Sequence, residues 1–142
     1  MSKRVITRVR DVMKTDFASI DGSATISEAL RIMKAQKTST LVVNKRHDDD
    51  EYALVTSGDI ARHVLAKDKA PERVNVYEIM LKPVISVRPD MDIRHCSRLF
   101  AHYDLVRAPV LEGREVIGTV SPNALVLQGL YKTIESSTAP SN

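Results

Sequence analysis

Two four-residue segments combine residue types and a spacing that could do chemistry, Thr56-Ser-Gly-Asp59 and Ser121-Pro-Asn-Ala124. In the first, a hydroxyl and a carboxylate stand three apart just after the apolar run Ala53-Leu-Val55, where a strand gives way to a helix. A helix start offers unpaired backbone N–H groups and a partial positive charge, which suit a phosphate. Gly58 keeps the approach open, Thr56 adds a hydroxyl, and the two oxygens of Asp59 match the paired hydroxyls of a ribose. The same Thr-x-x-Asp pattern is also a plain capping box, which needs no ligand. The second segment keeps a hydroxyl at Ser121 but has Ala124 where the carboxylate would stand. Charge-assisted bonds contribute on the order of 1.5–3 kcal/mol each, so a sugar there binds at least about tenfold more weakly. One competent site per chain is expected.

Other reactive residues carry less. His47-Asp-Asp-Asp-Glu51 lacks the glycine and the distant bidentate glutamate of a calcium loop, and reads as a solvated turn. His95 and His102 share a helix face but lie about two turns, roughly 10 Å, apart, too far to share a metal. Cys96 is the single cysteine, so no internal disulfide and no CxxC pair is available, and adjacent helical residues such as His95 point away from it. Thr56 and Ser57 have no neighbouring histidine base in sequence. No catalytic residue, metal or catalytic cofactor is expected.

The elements that position these segments come in duplicate. Val9-Arg-Asp-Val-Met13 matches Val76-Tyr-Glu-Ile-Met80, and the same offset of 67 pairs Phe17–Ile20 with Val84–Val87. Ala53-Leu-Val-Thr56 matches Gly118-Thr-Val-Ser121 at an offset of 65, with part of the drift absorbed between Lys45 and Glu51. In the first repeat a short strand Phe17–Ile20 precedes a helix with Ile26, Ala29, Leu30 and Met33 at helical spacing, started by the capping box Thr25-Ile-Ser-Glu28. A hairpin of Leu41–Val43 and Tyr52–Val55 follows, then a helix to about Lys67 with Ile60, Val64 and Leu65 on its apolar side. The second repeat parallels it: strand Val84–Val87, helix Ile93–His102 capped by Asp92, strands Ala108–Leu111 and Val116–Val120, and a helix from Pro122 to about Lys132. The division expected is a basic arm 1–8, repeats 9–68 and 76–132, a linker 69–75 and a flexible tail 133–142.

At 142 residues with 43% hydrophobic content the chain can bury one compact core or two small ones. No apolar run reaches the roughly 20 residues of a membrane span, and the start lacks a secretory apolar stretch, so a cytoplasmic protein without membrane contact is expected. A net charge of +3, spread along the chain, and only 4% aromatics without tryptophan argue against a dedicated nucleic-acid binder. Lys3, Arg4, Arg8 and Arg10 are the exception, a solvated arm or a weak nucleic-acid contact.

From residue 9 to about 130 the chain resembles a tandem pair of cystathionine β-synthase-type (CBS) domains, the Bateman module. The carriers are Val12-Met13 and Ile79-Met80, Val84-Ile-Ser-Val-Arg-Pro-Asp90, Arg107-Ala-Pro-Val110 and Leu54-Val-Thr-Ser-Gly-Asp-Ile60, in their order and duplication. The resemblance implies an α/β (α+β) fold of two β-α-β-β-α repeats packed sheet to sheet around a pseudo-twofold axis, with two clefts, and a homodimer. It implies a regulatory adenine nucleotide (AMP, ADP, ATP or NAD, with S-adenosylmethionine not distinguished) held by Thr56 and Asp59, and the helix start between them adds Ser57 and Gly58 to the expected ligand-binding residues. Ser39 and Thr40 would lie near its phosphate, their lack of charge favouring few phosphates, and Lys82, Pro83, Val84 and Ile85 would flank the base. Arg107, Ser121 and Asn123 would line the degenerate second cleft, Arg107 alternatively packing as a surface guanidinium. The expected function is a non-enzymatic sensor signalling through its dimer or an unknown effector protein. The alternatives are a structural dimerisation module with a vestigial cleft and, further off, a nucleic-acid-binding accessory protein.

Overall fold

The computed structural model describes residues 6–138. Helices α1 (Val9–Val12), α2 (Ile26–Gln36), α3 (Ser57–Ile60), α4 (Ile93–Tyr103) and α5 (Tyr131–Thr138) alternate with strands β1 (Ser19–Ile20), β2 (Thr40–Val43), β3 (Ala53–Thr56), β4 (Ala108–Glu112) and β5 (Glu115–Val120). The architecture is α+β. Two compact units form, but they do not follow the chain order of the repeats. One is Phe17–Val84; the other joins Ile85 onward to the residues through Asp16. Each repeat's opening turn has therefore moved: Val9 and Val12 pack in the core with Val110, Val120 and Phe100, while Val76 packs with Ile26, Leu41 and Val55.

In the Phe17–Val84 unit, β1 runs parallel to β2 and β2 antiparallel to β3, with Thr40 opposite Thr56. Strand β2 is buried throughout. Helix α2 starts where Thr25 Oγ1 accepts from the Glu28 N–H at 3.2 Å, and it buries Ile26, Ala29 and Met33 at positions i, i+3 and i+7. After α3 the chain continues as a π-helical stretch, Ala61–Leu65. Its wider turn leaves Val64 buried and rotates Leu65 out to 77% exposure, so Leu65 does not join the apolar side expected of it.

In the other unit β4 pairs antiparallel with β5, and the predicted strand Val84–Val87 shrinks to one parallel bridge between Val87 and Val110. Pro83 and Pro89 on either side lack N–H donors, so a ladder cannot extend through them. Similarly, only Ser19–Ile20 of the predicted first strand pairs. Helix α5 runs through residues 133–138, part of the stretch expected as a flexible tail, and residues 131–138 contain neither glycine nor proline to break it. Of the basic arm, Lys3 and Arg4 lie outside the described residues; Arg8 is no loose arm, since its guanidinium donates to the Asp90 carbonyl at 2.6 Å.

Cys96 is fully buried on α4, and burial pushes its thiol up to about 11. The native thiol should resist Ellman's reagent at pH 8 and react in urea, where the unfolded value of about 8.5 applies. Rapid labelling of the folded protein would contradict this packing.

Candidate functional site

Thr56 ends β3 and caps α3, and it exchanges bonds with Asp59. Thr56 Oγ1 accepts from the Asp59 N–H at 3.1 Å, while the Thr56 N–H and hydroxyl both donate to Asp59 Oδ2 at 3.0 Å. The capping box is thus fully formed, and the Asp59 side chain keeps only 14% of its surface. The Ser57 N–H donates to the Ser39 carbonyl at 2.9 Å, so two amides offered to a phosphate by the sequence, those of Ser57 and Asp59, already have partners. Ser39 and Thr40 do lie beside the motif, Ser39 through that bond and Thr40 through its pairing with Thr56. A methyl group at Gly58 would meet Arg62 Nη1 at 3.4 Å and Thr56 Oγ1 at 3.5 Å, ordinary contacts, so packing alone does not demand glycine there.

Arg62 is the member of this site that the motif did not suggest. Its Nη2 donates to Asp59 Oδ1 at 2.9 Å, and the guanidinium lies over Gly58. The i,i+3 spacing of Asp59 and Arg62 on one helix was the available signal.

The segment expected to flank the base divides. Leu81 exchanges backbone bonds with Leu54, two residues before Thr56. Lys82, next along, turns its ammonium to Asp50 Oδ1 at 2.6 Å and lines a separate cavity of about 660 Å³ that includes Gly22, Val43, Asn44 and Tyr77 but none of Thr56–Asp59. Pro83 and Val84 belong to the same unit as Thr56, and Ile85 to the other.

Asp50 Oδ2 in turn accepts from the Arg46 N–H at 2.9 Å and from Arg46 Nε at 3.3 Å. Lys82 first, then the backbone N–H groups of Arg46 and Glu51, hold its carboxyl far below the usual carboxylate range. A depressed folded-state pKa stabilises the fold above the unfolded value of about 3.9, and the gain is lost as pH falls below it. Lys82→Met should therefore lower stability to urea at pH 7, with the deficit shrinking progressively below about pH 4. A deficit that does not change with pH would contradict this role for the pair.

In the other unit, Lys14, Arg107, Thr119, Ser121, Asn123 and Ala124 line a cavity of about 480 Å³. Arg107 is half-buried along this cavity, donates to Thr119 Oγ1 at 3.4 Å, and has its pKa lowered by burial. Ser121 Oγ accepts from the Ala124 N–H at 3.4 Å. The cavity holds two cations and no carboxylate among its lining residues. Lys14 occupies the position of Leu81 at the repeat offset of 67, a correspondence visible in the sequence.

Among the described residues no helix is long and apolar enough to cross a membrane. The CBS domain model matches residues 9–66 and 76–127, and the chain belongs to the CBS domain family as a tandem pair. Among solved structures it is similar to the hexameric CBS-CP12 protein from bloom-forming cyanobacteria, with a TM-score of 0.86 and 34% identity, over 90% of this chain and 74% of that one. It is also similar to the CBS domain pair of protein MJ0100 in complex with 5′-methylthioadenosine and S-adenosyl-L-methionine, with a TM-score of 0.78 and 26% identity, over 90% and 99% of the two chains. The homoserine O-acetyltransferase of Methanohalobium evestigatum is 34% identical over 116 residues, covering 81% of this chain but 22% of that protein. The chain thus spans under a quarter of the length of such relatives.

Proposed function

We propose that the chain is a regulatory module that binds an adenine nucleotide, Asp59 taking the ribose hydroxyls and Thr56 lying near the phosphate. The observation carrying this reading is the Thr56–Asp59 box itself, a carboxylate held at 14% exposure on a helix start; the CBS domain pair of protein MJ0100, solved in complex with 5′-methylthioadenosine and S-adenosyl-L-methionine, supports an adenosine-containing ligand. A carboxylate fixed in this way meets a diol with little loss of side-chain freedom. AMP, ADP, ATP and NAD are the ligands proposed, those with few phosphates favoured because Ser39 and Thr40 carry no charge. Pro83 and Val84 are the proposed neighbours of the base within the unit. We read the module as non-catalytic, since the Thr56 hydroxyl and the Asp59 carboxylate are tied to each other in a helix cap. It would act in the cytoplasm through a homodimer or an effector protein, and acetyl transfer is no part of the proposal. Control by ligand requires that two states of the module differ in affinity for it.

The completeness of the capping box favours a second reading, a structural dimerisation module whose site is vestigial. Calorimetric titration of the folded chain with AMP, ADP, ATP, NAD and S-adenosylmethionine separates the two. Saturable heat near one equivalent per chain supports the sensor; no heat with any of them supports the vestigial site. Ala124→Asp should then raise the stoichiometry towards two by restoring the missing acceptor beside Ser121. A value still at one would break the proposed correspondence of the two segments.

A further inference from the structure

The site has a feature that bears on which adenosine compounds it takes, an inference resting on the reading above. A carboxylate offers about four lone-pair positions. At Asp59, Oδ2 accepts from both the N–H and the hydroxyl of Thr56, and Oδ1 accepts from Arg62 Nη2. One position is left, so two sugar hydroxyls cannot both bond while Arg62 stays in place. The Arg62 side chain is 66% exposed, and exposed ion pairs of this kind are weak, so the guanidinium can leave at little cost. Phosphate is the competitor best suited to draw it, because a guanidinium binds phosphate oxygens in a bidentate fork. Among residues 39, 40 and 56–62 Arg62 is the one cation, and the Ser57 and Asp59 amides are taken. The second repeat lacks both halves of the arrangement, with Ala124 and Leu127 at the positions of Asp59 and Arg62.

We propose that Arg62 is a specificity-determining latch, closing Asp59 to sugar diols until a 5′-phosphate draws the guanidinium away. The site then selects 5′-phosphorylated adenine nucleosides over uncharged or cationic adenosyl compounds.

The test is calorimetric titration of the full chain with AMP and with adenosine, for the unaltered protein, Arg62→Gln and Arg62→Lys, each shown to be folded by circular dichroism. The unaltered protein should bind AMP at least about tenfold more tightly than adenosine. In Arg62→Gln, AMP should weaken by about tenfold, as one charge-assisted contact is lost, while adenosine tightens by about two- to fivefold as the exposed pair is removed. Arg62→Lys should retain part of the preference. An AMP-to-adenosine ratio unchanged in Arg62→Gln, or an unaltered protein that prefers adenosine, overturns the latch while leaving the adenosine reading standing. Binding of neither ligand by the unaltered protein overturns that reading and the latch with it.

Discussion

Asp59→Ala should weaken adenine nucleotide binding by at least about tenfold and lower stability by about 1 kcal/mol. The two effects have separate sources. The first comes from the loss of a charged acceptor for the ribose. The second comes from the cap: the Thr56 N–H loses the oxygen it donates to, and the hydroxyl of Thr56 loses the same partner. Asp59→Asn keeps the shape and one oxygen for Thr56 but drops the charge, so it should recover much of the stability and little of the affinity. Urea unfolding and nucleotide titration of the two variants side by side measure both. Full affinity in Asp59→Ala would remove this residue from the site, whatever happened to stability.

Gly118→Ala should cost about 2–3 kcal/mol, a large loss for adding one methyl group. A Cβ at Gly118 would stand 2.7 Å from the Lys14 carbonyl oxygen and 3.1 Å from Met13 Sδ. The carbonyl cannot yield without opening the pairing in which Lys14 and Thr119 exchange bonds of 2.8 and 2.9 Å. Because Lys14 and Thr119 both line the second cavity, the same change should disturb that wall. Gly129→Ala is the informative contrast. Its Cβ would meet Ile93 Cδ1 at 2.6 Å, the mobile end of a side chain that can rotate away, so its cost should be smaller. Equal unfolding midpoints for Gly118→Ala and the unaltered protein would refute the close approach as a constraint.

Local signals in the sequence translated well into local structure. Thr25 caps α2 through Glu28, Asp92 caps α4 through the Arg94 N–H at 2.8 Å, and Thr56 and Asp59 close a reciprocal box, because each of these bonds is made within three residues. The offset between the repeats likewise foretold that Ser121 would stand where Thr56 stands. What the sequence did not show was which compact unit each opening turn would join. Val9-Arg-Asp-Val-Met13 and Val76-Tyr-Glu-Ile-Met80 have the same apolar pattern, so the pattern alone does not assign either turn to a unit, and tertiary packing does. The Val84–Val87 segment has strand composition yet pairs through a single residue, Val87 with Val110, and composition does not report whether a partner strand runs alongside. The family resemblance sets Lys82 beside the base, whereas its ammonium donates to Asp50, 32 residues away, a contact no local pattern announces. Arg62 was legible as an i,i+3 partner of Asp59, but its importance emerges only when the acceptors on that carboxylate are counted.

A crystal structure of the chain grown with AMP bears most directly on the central claim. The ribose 2′- and 3′-hydroxyls should lie within about 3 Å of the Asp59 carboxylate, beside Thr56. Nucleotide density elsewhere, with Asp59 still bonded only to Thr56 and Arg62, would contradict the assignment of this carboxylate to the sugar.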